Sequence, residues 1–89
     1  MHTDRIPGDA RRAVVNRLRR AEGQLRAVAR NLEDGGDCAE VARQLTAAKS
    51  AVEHAGIKLL AAGLAECLTD AREGDLTRAE FERLLMQVA

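Results

Sequence analysis

Cys38 and Cys67 are the residues of this 89-residue chain best equipped for chemistry, since a thiolate is both a nucleophile and a soft metal ligand. Asp34-Gly35-Gly36 reads as a helix stop, and Asp37 with Glu40 three residues on resembles a capping box opening the next helix. Cys38 then falls in a first helical turn, where free N–H groups and the dipole favour a thiolate while Asp37 opposes it. Cys67 follows 29 residues later. That is about 43 Å along an unbroken helix, and a disulfide needs Cα atoms within about 7 Å. The two thiols cannot meet within one chain. Pairing the same helix antiparallel from two chains would bring Cys38 of one to Cys67 of the other, making two dithiol sites per dimer. The plainer alternative is that both are small apolar fillers, which suits Cys67 beside Leu68 better than Cys38. His54 lies roughly 20 Å from either cysteine along the helix, and His2 sits in the polar N-terminal stretch. Two thiolates are too few for tetrahedral zinc but suffice for a low-coordinate soft ion such as Cu(I). Cys38 with His54 is the one nucleophile–base pairing on offer, and the helix separates them, so no enzyme is expected.

The elements that must position these thiols are helices. The chain is rich in Ala, Leu, Arg and Glu, and no strand pattern competes. After a flexible, Pro-containing segment 1–8, Asp9 is a candidate N-cap, and Val14, Leu18, Ala21, Leu25, Val28 and Leu32 repeat at spacings of four and three. This predicts a first helix over about 10–33. Val41, Leu45, Ala48, Val52, Ala55, Leu59 and Ala62 continue the rhythm in a second helix of about 30 residues, with Gly56 and Gly63 inside it marking close packing or loosening. Gly74-Asp75 breaks the chain again, and Thr77 with Glu80 caps a short third helix carrying Phe81, Leu84, Leu85 and Val88. A helix of ~45 Å exceeds the roughly 30 Å diameter of a globule this size, so the chain cannot wrap it. The expected fold is all-α: a three-helix protomer of two long antiparallel helices plus a short third, forming an antiparallel four-helix-bundle dimer or a dimer of dimers. Residues 1–89 are read as a single helical domain. No apolar run approaches the ~18 residues of a membrane span, and Met1 to Ala10 lacks an export signal, so a cytoplasmic protein without a membrane partner is expected.

The charges are unevenly placed. Fourteen basic and fourteen acidic residues cancel overall, but residues 1–32 hold eight arginines against three carboxylates, a balance of +5. The remainder holds six basic against eleven acidic residues, a balance of −5. Arg12, Arg19 and Arg26 are seven apart and form one stripe, thickened by Arg17 and Arg20; Arg43 and Lys49 could extend it from the second helix. A guanidinium fork suits phosphate and guanine, although a solvated helix face is the ordinary reading of such a stripe. With no helix-turn-helix pattern and no stacking aromatic, DNA readout would rest on phosphates and shape.

Taken together, Arg17-Leu18-Arg19-Arg20-Ala21-Glu22-Gly23-Gln24-Leu25-Arg26, Asp37-Cys38, Gln44-Leu45-Thr46-Ala47-Ala48-Lys49-Ser50-Ala51 and Glu66-Cys67-Leu68 resemble the CsoR/RcnR family of small helical bacterial repressors, over about residues 12–70. The resemblance implies a homodimer or homotetramer that binds operator DNA through helical faces and releases it when an inducer is captured at the inter-subunit thiol site. Copper-sensing members place a ligand histidine 25 residues after the first cysteine, and that position here is Gly63. The bare dithiol is similar to the persulfide-sensing, CstR-like branch, in which sulfane sulfur links the two thiols. The expected inducer is therefore a reactive sulfur species, with Cys38 attacking, Cys67 resolving and no cofactor or metal. The alternatives are Cu(I) held by the same two thiolates, and a helical-bundle interaction protein without a regulatory role.

Overall fold

The computed structural model describes residues 1–89, and every regular element in it is helical. Helix α1 spans Gly8–Glu33, α2 spans Cys38–Thr69 and α3 spans Arg78–Val88, with a 3₁₀ turn at Thr3–Arg5. The caps follow local chemistry. Asp37 Oδ2 accepts from the Glu40 N–H at 3.0 Å, and Thr77 Oγ1 accepts from the Glu80 N–H at 3.2 Å while the Thr77 hydroxyl donates to Glu80 Oε1 at 3.2 Å. Helix α1 ends in a Schellman arrangement, with Gly35 at φ 72° and the Gly36 N–H bonded to the Asn31 carbonyl at 2.9 Å. Its start is shifted from expectation. Pro7, not Asp9, occupies the cap, because proline's fixed φ and missing N–H suit a helix start, and Asp9 serves instead as a first-turn acid.

Helices α1 and α2 fold back on each other through the short turn at 34–37. Their seam is a pair of seven-residue repeats, Val14, Ala21 and Val28 against Val41, Ala48 and Ala55, all buried. The alanines let the backbones approach closely. The larger residues four positions along remain in the open: Leu18, Leu25 and Leu32 on α1 and Leu45 and Val52 on α2 are 45–67% exposed. At 52 × 25 × 14 Å and a radius of gyration of 16.3 Å, the protomer is a slab rather than the ~12 Å globule its length would allow. One apolar face of the hairpin is left without cover.

Helix α3 packs across the far half of α2, and the two glycines inside α2 make room for it. A side chain at Gly56 would collide with Val88, and a Cβ at Gly63 would lie 3.4 Å from Phe81 Cε1. Both glycines therefore mark close packing. Segment 1–8, expected to be flexible, lies packed in the structure. Ile6 is only 3% exposed, the Arg5 guanidinium pairs with Asp75, and Arg5 Nη2 donates to the Asp70 carbonyl at 2.7 Å. Burial of one large aliphatic side chain and a shielded ion pair hold the segment against α2 and the α2–α3 loop. No helix is long and apolar enough to cross a membrane.

Candidate functional site

Cys38 opens α2 and is exposed; Cys67 lies two residues before its end and is half-buried. With α2 continuous between them, the two sulfurs belong to opposite ends of the protomer, as the spacing predicts. They nevertheless share a face. At about 100° per residue, Cys67 is rotated only ~20° from Cys38, and Leu45, Val52 and Gly63 fall within ~40° of it. The thiols therefore lie in phase with a stripe that is uncovered at Leu45 and Val52 and packed by α3 and the N-terminal segment at Gly56 and Gly63. His54 is exposed and roughly 160° away, so it joins neither thiol. Nowhere in one protomer do three His, Cys, Asp or Glu side chains converge.

The surroundings of Cys67 are built by the N-terminal segment. Met1 Sδ is 3.4 Å from Cys67 Sγ, and Arg5 and Asp75 pair beside it with side chains only 13% and 12% exposed. Asp75 also accepts from the Arg72 backbone N–H at 2.8 Å. Burial, seconded by the charge of Asp75, pushes the Cys67 thiol above its ordinary pKa. The Arg72 N–H, then the Arg5 guanidinium, hold the Asp75 carboxyl below its own. Cys67 is accordingly a shielded thiol at neutral pH. Sequence reasoning passed over Met1, Arg5 and Asp75. The signal available was Ile6, a lone large aliphatic residue in an otherwise polar stretch.

The arginine stripe is where periodicity puts it. Arg12, Arg19 and Arg26 are exposed and lie roughly 120–160° around α1 from Val14, away from the seam. Arg20 is exposed and Arg17 half-buried. Arg19 bonds Glu22 at 3.3 Å, Arg43 bonds Glu40 at 3.0 Å, and Lys49 stands 3.8 Å from Glu53. None of Arg12, Arg17, Arg20 or Arg26 has a carboxylate partner. These surface pairs are weak and easily exchanged for phosphate, so the face remains available to a polyanion.

The family model described as metal-sensitive transcriptional repressor matches residues 10–87. Similar curated proteins include the copper-sensing transcriptional repressor RicR of Mycobacterium tuberculosis, 42% identical over 64% of this chain and 59% of the relative. The copper-sensing transcriptional repressor CsoR of Mycobacterium ulcerans is 38% identical over 86% of this chain and 66% of its own, and that of Bacillus subtilis is 32% identical over 80% and 71%. The matched part thus spans 59% and 66% of the first two relatives' lengths. Family and relatives are described as repressors, not enzymes. No solved structure matches the chain.

Proposed function

The chain belongs to the metal-sensitive transcriptional repressor family, and from that premise we propose that it binds operator DNA through the α1 arginine face and releases it when Cys38 of one protomer and Cys67 of the partner subunit capture Cu(I). The observation that carries this reading is the placement of both thiols in phase with Leu45 and Val52, on an α2 face that has no cover within the protomer over its near half and is packed by α3 and the N-terminal segment over its far half. Antiparallel pairing of that face with a second copy sets Cys38 against Cys67 at each end. The donor set fits the ion: thiolates select Cu(I), and two chains supply two of them per site. Bound there, the ion would add a soft cation bridging two subunits. Cys38, exposed at a helix start, offers the accessible first ligand, and Cys67 gives up its proton late because it is shielded. Arg12, Arg17, Arg19, Arg20 and Arg26, with Arg43 and Lys49, are proposed to contact phosphates, which makes affinity fall steeply with salt.

Reactive sulfur is the second reading, and Gly63 favours it. Where copper-sensing members of the family carry histidine, the Phe81 ring covers a glycine, leaving the dithiol without an imidazole. In this reading Cys38 thiolate takes a sulfur atom from a polysulfide, forming a persulfide. Cys67 thiolate of the partner subunit then displaces hydrosulfide to leave an inter-subunit disulfide, the dithiol being oxidised and one sulfane sulfur reduced.

Operator affinity, followed by fluorescence anisotropy on DNA flanking the protein's own gene, distinguishes the two. Anaerobic Cu(I) at one per protomer is expected to release the DNA from wild type but not from Cys38→Ser or Cys67→Ser. Arg19→Ala and Arg20→Ala should weaken binding before any inducer is added. Stoichiometric Cu(I) that leaves affinity unchanged, alongside release by polysulfide with a DTT-reversible covalent dimer, would replace copper with sulfur.

A further inference from the structure

We propose that the Met1 thioether is the third soft ligand of this site, so that Cys67, Met1 and Cys38 of the partner subunit would form an all-sulfur Cu(I) centre. The inference rests on the copper reading above. Met1 Sδ lies 3.4 Å from Cys67 Sγ, inside twice a metal–sulfur bond of ~2.3 Å, so one ion can touch both atoms. Thioether sulfur, like thiolate, selects Cu(I), and being neutral it adds no charge and needs no deprotonation.

The position of Met1 is built rather than incidental. The Arg5–Asp75 ion pair, the Arg5 bond to the Asp70 carbonyl and the burial of Ile6 anchor the segment. The Met1 nitrogen reaches the Gly74 carbonyl at 3.5 Å. Gly63 completes the cradle. A Cβ at that position would stand 4.0 Å from Met1 Cε as well as 3.4 Å from Phe81 Cε1. The space over Gly63 is thus taken by the Met1 methyl and the Phe81 ring, and the ligand missing from α2 is supplied by a residue more than sixty positions earlier in the chain. His2 lines the same small cavity with Met1, Ile6, Gly63 and Phe81, and its imidazole is the competing donor.

The test uses full-length protein with Met86→Leu, which leaves Met1 as the sole methionine; Met86 is 78% exposed and dispensable for packing. Intact mass confirms that Met1 is retained. Selenomethionine protein loaded with Cu(I) is expected to show a copper neighbour in selenium-edge X-ray absorption, lost in Cys67→Ser. Norleucine at position 1 removes the sulfur and keeps the shape. It is expected to weaken Cu(I) by roughly 10- to 100-fold, a range reached even by outer-shell changes, with helicity and melting temperature unchanged. Thiol-dependent Cu(I) binding with no selenium–copper scattering and no norleucine effect would overturn the Met1 assignment while leaving the copper reading intact. Loss of affinity in His2→Ala alone would overturn it in favour of imidazole. Failure of wild type to bind Cu(I) through its cysteines would remove both.

Discussion

At the scale of single residues, the two thiols differ because their surroundings differ. Cys38 stands in solvent at a helix start, whereas Cys67 is half-buried beside Asp75 and under Met1. Iodoacetamide should therefore modify Cys38 first at neutral pH. Alkylation of Cys67 should keep rising after pH passes the ordinary thiol value of about 8.5, because burial and the neighbouring carboxylate disfavour its thiolate. Peptide mass mapping across a pH series checks this, and equal rates at pH 7.5 would contradict it. The same shift has a sign for stability. A thiol whose pKa rises on folding contributes fully below its unfolded value, and the contribution fades as pH climbs through the folded value.

At the scale of elements, the α1–α2 seam depends on small residues. Ala48 is fully buried where the helices approach. Ala48→Leu should overpack the seam at a cost of about 1–3 kcal/mol. In a chain this short that lowers the melting temperature by roughly 4–8 °C per kcal/mol. Circular dichroism melts at one fixed protein concentration measure it, since association also moves the midpoint. An unchanged melt would mean that the seam is looser than its buried alanines indicate. The caps that bound these elements were legible in advance: Asp37 with Glu40 and Thr77 with Glu80 sit where the residue types placed them. The start of α1 was not, because Pro7 and Asp9 are both acceptable openings and local chemistry alone does not rank them.

At the scale of the molecule, the exposed stripe decides what the protomer can be alone. Leu18, Leu25, Leu32, Leu45 and Val52 form an apolar face too large for a small soluble monomer to leave open. Setting Cys38 against Cys67 of the partner subunit puts the two-fold axis midway between them, next to Val52. Val52→Glu should then bring two like charges together at the axis. Sedimentation velocity is expected to show wild type as a dimer or tetramer and Val52→Glu as a smaller, less stable species. A folded wild-type monomer at micromolar concentration would remove the composite thiol site and the functions proposed for it.

Helix content, the caps of α2 and α3, the arginine stripe and the separation of the two cysteines all follow from residue types at fixed spacing, because each depends on neighbours within a few turns of one helix. The docking of residues 1–8 does not. It depends on Ile6 finding a hollow, on Arg5 meeting Asp75 seventy residues away, and on Gly63 leaving room for Met1 and Phe81. Those are contacts between distant parts of the chain, and a local pattern carries no record of which distant surface will be there to receive it. The polar N-terminal stretch therefore read as a loose end, and only the packed structure made it the wall of the Cys67 site.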